Sequence, residues 1–433
     1  MEKPLYPWQE KCLEHWFTNQ GRGIVQAATG TGKTLLALTA ANRLDREQNS
    51  EMRIKIVVPT GALLRQWDQA LVQFLIDSGC ADKIEANRQI GLRGGGFRMT
   101  PDHKYMIYVI NSARYELARQ ILSDLRSGLT VLLIADECHR YESEQNRLIF
   151  EFLPHTGDYA DHFFSLGLTA TLPAGQAKSY LESVLGKRIY TLGITQASKL
   201  QNVCQCDIFH IELPFQPEES EEYEEITDQM TVQYRRLLKA FPVLKDMSQK
   251  ERFEMLRSLA GDKNRQVSEP ASLYMRLTYK RKGLVCMAAS RIACACDLVT
   301  RLSATDKILI FGERINQAEE LYRLLSKRYH GKVGRYHSQM GQQANQNTLN
   351  RFRDGDIRIL ITCKALDEGL DVPDVTVGII LSGTSIQRQR IQRLGRIIRK
   401  SEGKDKASLN SRNQTLSATW KRTFRLAEQT RPT

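Results

Sequence analysis

The chain has 433 residues, 41% of them hydrophobic, which exceeds one ordinary core and is typical of two globular domains with a modest insertion. Its formal net charge of +13 excludes a neutral surface and favours a polyanionic partner, with nucleic acid as the first candidate. Charge alone does not separate nucleic acid from an anionic membrane.

The amino-terminal residues and the cysteines both indicate an intracellular protein. The first seven residues lack the charged-then-apolar pattern of a secretion signal, and no uncharged apolar run approaches membrane-spanning length. Nine cysteines, an odd number, are scattered along the chain and are most simply reduced thiols. We therefore expect a soluble cytoplasmic protein that has no membrane partner.

Two Cys-x-Cys pairs, Cys204/Cys206 and Cys294/Cys296, raise the question of a zinc site with four thiolates. Zinc ligands are usually separated by about two to four residues, and side chains at positions i and i+2 of a helix diverge. Since Cys294 and Cys296 lie in a predicted helix, we favour buried cysteines acting as small apolar residues over a zinc site.

Short apolar runs alternate with helical patterns in the first half of the chain. Their β-branched content and lack of polar alternation predict strands that are buried on both faces of a parallel sheet. The runs are Gly23–Val25, Ile54–Val58, Met106–Ile110, Val131–Ile134 and Phe163–Leu168. A first α/β domain is therefore expected over residues 1–211.

A second α/β series is expected over residues 284–407. Its predicted strands are Lys307–Phe311, Ile357–Ile361 and Val375–Leu381, and a helix is predicted over Gln317–Tyr329. Between the two series, residues 212–283 form a helical linker or insertion, whose glutamates from Glu218 to Glu225 follow Pro217. We favour a solvated helix here over a regulatory acidic element that mimics nucleic acid. Residues 408–433 form a polar tail that is expected to be poorly ordered.

A glycine-rich loop separates the first predicted strand from the helix that begins near Lys33. Amides at the helix start can face phosphate oxygens, Gly30 and Gly32 permit close approach, Lys33 contacts the β- and γ-phosphates, and Thr34 binds Mg²⁺. The pattern therefore predicts ATP and Mg²⁺ as cofactors. The binding residues expected in this loop are Thr29, Gly30, Thr31, Gly32, Lys33 and Thr34.

Two carboxylates follow the apolar strand that ends at Ile134. The carboxyl end of a parallel strand is where ligands bind in such sheets, so Asp136 is expected to hold Mg²⁺ and Glu137 to orient and deprotonate the attacking water. The hydroxyls of Thr169 and Thr171, at another strand end, are a weaker pattern, because threonine is common at such junctions. These hydroxyls would link the Mg²⁺ side of the site to the second ligand that the domain binds.

Arginines dominate the end of the second α/β series, where no acid occurs between Ser385 and Lys400. Arg393, Arg396 and Arg399 share one helix face, which is typical either of a solvated basic helix or of groups that reach a γ-phosphate. Guanidinium groups there accelerate phosphoryl transfer by about 10³ to 10⁵. Upstream, Gly369 has no side chain and so allows close approach to its backbone. Asp371 is placed to contact a ribose hydroxyl or these arginines.

Taken in order, these segments resemble the motif set of helicase superfamily 2, from Tyr6 to about Lys406. The matching segments are Tyr6–Gln9 (glutamine motif), Ala27–Thr34 (motif I), Pro59–Thr60 with Leu64, Gln66 and Trp67 (Ia), Asp136–His139 (a DECH form of II), Leu168–Thr171 (III), Ile308–Gly312 (IV), Thr362–Asp371 (V) and Gln392–Arg399 (VI). Such an ordered set is far more specific than any one member.

The resemblance implies two RecA-like domains with ATP in the cleft and nucleic acid across both. It implies that Gln9 reads adenine and that Lys33, Thr34, Asp136 and Glu137 carry out hydrolysis. From the far side, Gln392, Arg396 and Arg399 would complete the ATP site. The implied contacts to the nucleic-acid backbone, which carry little base specificity, are Thr60, Gln66, Ser112 and Thr362.

Within the superfamily, motifs V and VI most resemble the XPB-like and RadD-like DNA translocases and the ATPase part of restriction enzymes. DNA is therefore favoured over RNA. Two departures stand out: Ala27 replaces the first glycine of motif I, and no closing strand is evident after Leu409. The expected function is ATP-driven translocation on DNA, in repair or in defence against foreign DNA. The alternatives are the motor subunit of a restriction complex whose protein partner supplies the nuclease or recruitment, an RNA helicase, and a scaffold with a vestigial ATP site.

Overall fold

The computed structural model describes residues 4–48, 51–172, 180–193, 196–197, 205–363, 375–381 and 406–411. The chain divides into two compact units, one built mainly from Met1–Cys206 and the other mainly from Asp207–Lys364. Each unit contains its own mainly parallel β-sheet and its own hydrophobic core. The prediction of an α/β protein with two parallel sheets in tandem is confirmed.

The first unit is an eight-stranded sheet in the order β4-β3-β5-β2-β6-β7-β1-β8. All described strand pairs are parallel except β3–β4. Its strands are β1 (Arg22–Ala27), β2 (Met52–Val58), β3 (Ile90–Gly94), β4 (Phe97–Arg98), β5 (Tyr105–Val109), β6 (Thr130–Asp136), β7 (Phe163–Thr169) and β8 (Arg188–Leu192). Its helices are α1 (Pro7–Thr18), α2 (Lys33–Glu47), α3 (Gly61–Asp77), α4 (Lys83–Gln89), α5 (Ile110–Arg126), α6 (Glu144–Arg147) and α7 (Tyr180–Leu185).

The predicted strands of this unit form because their side chains are buried on both faces of the sheet. All seven residues of β6 are buried, and alternate residues enter different cores. Leu132 and Ile134 pack in one cluster, whereas Val131 and Leu133 pack in the other. Strands buried in this way read as continuous apolar runs, which is why the sequence reveals them.

The second unit has a six-stranded sheet in the order β11-β12-β10-β13-β14-β9. Its strands are β9 (Gln205–His210), β10 (Ile308–Gly312), β11 (Val333–Tyr336), β12 (Ile359–Cys363), β13 (Val377–Ile380) and β14 (Lys406–Ser411). Its helices are α8 (Pro217–Ala240), α9 (Gln249–Leu259), α10 (Arg265–Met287), α11 (Ala289–Arg301), α12 (Ile315–Arg328) and α13 (Gln342–Arg353). The strands predicted at β10, β12 and β13 and the helix predicted at α12 are all present.

The segment between the two α/β series is helical, as predicted. Helices α8, α9 and α10 enclose a small core that includes Leu237, Leu256 and Met275. The segment groups with the second unit, where Lys282 of α10 pairs with Glu313, just after β10, at 3.1 Å. It is therefore an elaboration of that unit rather than a free linker.

One helical stretch among the described residues, Arg265–Arg301, has the length and apolar composition of a membrane span. It is not one continuous helix, because Ala288 has extended backbone angles (φ −48°, ψ 128°) between α10 and α11. Ala295 and Val299 of α11 pack in the core of the second sheet. Packing within the unit thus occupies part of its apolar surface.

The sequence places two strand boundaries incorrectly. Gln205–His210, expected at the end of the first domain, is strand β9 of the second sheet. The expectation of no strand in the tail after residue 407 is wrong for Ser408–Ser411, which pair in parallel with Val377–Ile380 through β14. Backbone pairing, which any residue type can provide, forms this strand without an apolar run. Residues 412–433 lie outside the described residues.

The zinc hypothesis gains no support. In the part of the chain that the structure describes, no group of three or more His, Cys, Asp or Glu side chains could hold a metal. Cys294 and Cys296 lie in α11, and both are half-buried. Cys204 lies outside the described residues.

Candidate ATP and nucleic-acid site

Three strand ends of the first sheet bring the predicted ATP-site residues to one edge. Strands β6, β7 and β1 are neighbours in this order and run parallel, so their carboxyl ends lie side by side. Asp136 ends β6, Thr169 ends β7, and the glycine-rich loop follows β1. The topology thereby brings together motifs that are more than a hundred residues apart in the chain.

The glycine-rich loop has the conformation that its sequence requires. Gly30 and Gly32 have φ angles of 87° and 91°, in the left-handed region that side chains with a Cβ rarely adopt. Helix α2 begins at Lys33 with no side-chain cap on its first turn, and Thr29 Oγ1 is buried without a hydrogen-bond partner. An uncapped helix start beside an unsatisfied hydroxyl suits an anionic ligand.

The Lys33 ammonium folds back over its own loop. Its Nζ donates to the carbonyl oxygens of Ala27 and Ala28 at 2.9 and 3.2 Å. Thr31 donates from Oγ1 to the same Ala28 carbonyl at 2.7 Å. These bonds stabilise the loop, and a phosphate group would compete with the two carbonyls for the lysine.

Gln9 contacts the loop directly rather than standing apart from it. Its side chain is fully buried; Nε2 donates to the Gly32 carbonyl at 2.9 Å, and Oε1 accepts from the Tyr6 backbone N–H at 2.8 Å. A Cβ at Gly32 would lie 2.9 Å from Gln9 Nε2, so any other residue at this position would displace the carboxamide. The interpretation of Gln9 as the adenine reader stays a prediction, while its bond to the loop is established.

A pocket of about 490 Å³ opens beside the loop in the first unit. Its lining includes Leu5, Gly32, Thr34 and Leu35 and, from α3, Phe74. The pocket combines apolar side chains with a few polar groups at a helix start. That combination suits a nucleoside whose phosphates lie on the loop.

Asp136 is held through both carboxylate oxygens. Oδ1 accepts from the Glu137 backbone N–H at 3.0 Å, and Oδ2 accepts from the indole Nε1–H of Trp67 at 2.8 Å. Its carbonyl oxygen accepts from the hydroxyl of Tyr141, which also donates to Val57. Burial raises the pKa of Tyr141 well above its usual value, so its hydroxyl remains a donor.

The motif II histidine links two strand ends. His139 Nδ1 lies 2.9 Å from Thr169 Oγ1 and 3.3 Å from Glu137 Oε2. Because the Thr169 hydroxyl donates its only proton to the carbonyl of Thr171, it must accept from His139, which places a proton on Nδ1. The same nitrogen lies near the carboxylate of Glu137, so the motif II histidine stands between motif III and the predicted general base.

The predicted nucleic-acid contacts of the first unit lie on two other strand ends. Thr60 caps α3 after β2, and its Oγ1 accepts from Leu63 N–H at 3.3 Å. Ser112 lies in the first turn of α5, after β5, and Gln66 has a buried Oε1 without a partner. In the second unit, Thr362 is 1% exposed inside β12, which leaves its side chain little access to a polynucleotide in this structure.

Five predicted residues cannot be placed. Gly369, Asp371, Gln392, Arg396 and Arg399 lie outside the described residues. Their proposed roles therefore remain predictions. From the sequence, Trp67 was identified only as part of motif Ia, and no role was predicted for Tyr141. The position of Trp67 next to Gln66 is the one local pattern that could have suggested a role for the tryptophan.

Known proteins are similar to this chain in both halves. The family model of the type III restriction enzyme res subunit matches residues 2–174, and that of the helicase conserved C-terminal domain matches residues 290–401. The DNA 3'-5' translocase XPB2 of Sulfurisphaera tokodaii is 26% identical over 408 residues, covering 94% of this chain and 80% of that protein. The ATP-dependent RNA helicase DBP8 of Candida albicans is 36% identical over 101 residues, or 23% of each chain.

The fold is also found among solved structures. The crystal structure of the Pyrococcus furiosus Hef helicase domain matches with a TM-score of 0.57 and 15% identity, covering 95% of each chain. The two sheets are thus RecA-like. Together with the ordered motifs and the glycine-rich loop, the matches define an ATP-hydrolysing helicase, and the chain belongs to helicase superfamily 2.

Proposed function

We propose that this protein is an ATP-dependent DNA translocase of the XPB-like group, acting in the cytoplasm in DNA repair or in defence against foreign DNA. The observation that carries the proposal is coverage: similarity to a DNA translocase extends over 94% of the chain, whereas similarity to an RNA helicase extends over 23%. The net charge of +13 supports a polyanionic partner.

The residues of the first unit fit ATP with Mg²⁺. The unpartnered Thr29 hydroxyl, the left-handed glycines and the oxygen donors of Thr34 and Asp136 provide the groups that a metal–triphosphate complex needs. When bound, Mg²⁺ would neutralise charge on the β- and γ-phosphates. Thr34 and Asp136 would hold it, and Lys33 would leave its loop carbonyls for the phosphates.

Glu137 is the proposed general base of hydrolysis. Its carboxylate lies beside His139, whose Nδ1–H is fixed by Thr169, so its orientation depends on two strand ends. In this position Glu137 would accept the proton of the attacking water. Gln392, Arg396 and Arg399 are proposed to complete the site, with Gly369 and Asp371 beside the nucleotide.

The deciding experiment measures ATP hydrolysis with single-stranded DNA, duplex DNA and RNA of equal length, together with triplex displacement on duplex DNA. We expect several-fold stimulation by DNA, weaker stimulation by RNA, and displacement that requires ATP. Lys33→Ala should abolish hydrolysis and displacement together. Equal rates with and without every polynucleotide would overturn the proposal.

A second candidate is the motor subunit of a larger restriction or defence complex. The match of residues 2–174 to the restriction-enzyme res subunit favours it. In this case a protein partner would supply nuclease or recruitment function, and hydrolysis would appear only when that partner is present. A purified chain that is silent alone but active after co-purification with a second polypeptide would select this candidate.

A further inference from the structure

Trp67 connects helix α3 to the carboxylate that is expected to bind Mg²⁺. Its side chain is 1% exposed, and its indole Nε1–H donates to Asp136 Oδ2 at 2.8 Å in a buried site. An indole N–H can only donate, so Asp136 is its acceptor. A hydrogen bond to a charged acceptor is stronger than one between two neutral groups.

The same helix carries the predicted polynucleotide contacts. Thr60 caps its first turn, and Gln66 is the immediate neighbour of Trp67. Gln66 Oε1 is buried and has no hydrogen-bond partner, so this side chain retains an unused acceptor beside the tryptophan. If a bound nucleic-acid strand displaced helix α3, the indole of Trp67 would move relative to Asp136.

Tyr141 connects Asp136 to strand β2, which precedes α3. The Tyr141 hydroxyl shares its one proton between the carbonyl oxygens of Val57, at 2.9 Å, and of Asp136, at 2.7 Å. Tyr141 therefore fixes the backbone of Asp136, whereas Trp67 fixes its carboxylate. The two side chains hold the same residue but act on different atoms, which makes their roles separable.

We propose that Trp67 is a positioning residue: its indole N–H orients the Asp136 carboxylate toward Mg²⁺ and transmits the placement of helix α3 to the metal ligand. Second partners of metal-binding side chains typically affect metal affinity or activity by about 10- to 100-fold. The transmission from polynucleotide to Asp136 rests on the proposed function. The orienting role rests only on the proposed binding of Mg²⁺ by Asp136 and not on the choice of polynucleotide.

The test compares Trp67→Phe with Trp16→Phe. Trp16 is also 1% exposed in the first unit, and its indole donates to the Ser165 carbonyl at 3.0 Å, away from the site. Both variants lose a buried indole hydrogen bond and similar volume. Only Trp67→Phe should weaken the Mg²⁺-dependent part of the affinity for a fluorescent, non-hydrolysable ATP analogue, by about 10-fold or more.

Binding of the same analogue without Mg²⁺ serves as the folding control. We expect Trp67→Phe to keep this affinity, which would show that the loop and pocket are intact. In hydrolysis assays the variant should need higher Mg²⁺ for half-maximal rate, and excess Mg²⁺ should restore part of it. Equal Mg²⁺ responses in Trp67→Phe, Trp16→Phe and wild type would overturn the orienting role.

Tyr141→Phe separates the two ties to Asp136. This variant should lower the melting temperature, because the hydroxyl contacts the carbonyls of both Val57 and Asp136, and it should shift the Mg²⁺ response less than Trp67→Phe does, because it leaves the hydrogen bond to the carboxylate in place. For the transmission, DNA should shift the wild-type Mg²⁺ curve and leave that of Trp67→Phe unchanged. A DNA-induced shift of equal size in both would refute transmission, whereas the absence of any DNA effect on wild type would count against the proposed function instead.

Discussion

The backbone of Glu137 lies at φ 48° and ψ 45°, in the left-handed region, although glutamate carries a Cβ. Such a conformation costs on the order of 1–3 kcal/mol and persists where the surroundings enforce it. Here the chain turns sharply after β6, and Cys138 is fully buried immediately behind the turn. The strain places the Glu137 carboxylate next to His139 at the sheet edge, where the sequence predicts a general base.

Glu137→Gln should abolish turnover and spare nucleotide binding. The amide keeps the size of the carboxylate but cannot accept a proton from water, so the hydrolysis rate should fall by about 10²- to 10⁴-fold. Steady-state ATPase and analogue binding measure the two effects. The control is Glu144→Gln, an exposed position on α6, which should retain the wild-type rate. A Glu137→Gln rate above a tenth of wild type would assign the base elsewhere.

Lys55 is a buried cation inside β2. Its side chain is fully buried, and its Nζ lies 2.9 Å from Asp124 Oδ2 of α5. Burial lowers the pKa of Lys55 from its usual value, against the opposing effect of Asp124. Asp124→Ala should therefore destabilise the fold by about 3–5 kcal/mol at neutral pH, measured by urea denaturation, because it leaves a buried charge without its partner.

The pH dependence of that loss has a defined sign. A lysine whose folded pKa is lowered carries its full penalty below the folded pKa, and the penalty fades as pH rises toward the unfolded lysine value. The difference in free energy of unfolding between wild type and Asp124→Ala should therefore become smaller at alkaline pH. The double variant Lys55→Met, Asp124→Leu should recover most of the stability. A gap that widens with rising pH would contradict this account.

At the scale of elements, a short hairpin lies against two predicted nucleic-acid contacts. Gly94 ends β3, Gly95 and Gly96 join it to β4, and all three glycines have positive φ. A Cβ on Gly95 would lie 3.1 Å from Gly61 Cα, next to Thr60, and a Cβ on Gly94 would lie 2.7 Å from Ser112 Oγ. The hairpin thus lies close to the residues that follow β2 and β5.

Two alanine variants of this hairpin should separate backbone strain from steric clash. Both Gly94→Ala and Gly96→Ala place a side chain at positive φ, at a cost of about 1–2 kcal/mol, but a Cβ on Gly96 meets nothing within 4 Å. Only Gly94→Ala also displaces Ser112. We expect Gly94→Ala to weaken DNA binding several-fold in fluorescence anisotropy and Gly96→Ala to leave it near wild type. Equal losses in both would exclude a role for Ser112.

The sequence predicted the elements whose burial is local and missed those formed by distant pairing. Strands β6 and β10 are continuous apolar runs, so their type and place could be inferred. Strand β14 contains a single large apolar residue, Leu409, and becomes recognisable only through its pairing with β13. The hydrogen bond between Trp67 and Asp136 could not be predicted from the sequence either, because 69 residues separate the two partners.

At the scale of the whole molecule, the order of the motifs along the chain was the basis for predicting the superfamily. Single motifs such as the threonines after β7 are common, but their order along the chain matched one superfamily from Tyr6 onward. Topology then explains part of that order, since motifs I, Ia, II and III lie at the carboxyl ends of β1, β2, β6 and β7, which are parallel strands of one sheet. The choice of nucleic acid depends on many backbone contacts, which no single residue encodes.

The charge of the whole chain gives a last prediction. If the grip is mainly on phosphates, affinity for DNA should fall steeply with salt, by about 10³-fold or more between 50 and 200 mM if six or more phosphates are contacted. Hydrolysis without DNA should change little over the same range, because Lys33 is partly buried and its interaction with a bound phosphate is screened less than that of an exposed charge. Anisotropy and ATPase titrations in parallel separate the two. A salt-independent DNA affinity would indicate that the net charge of +13 serves another partner.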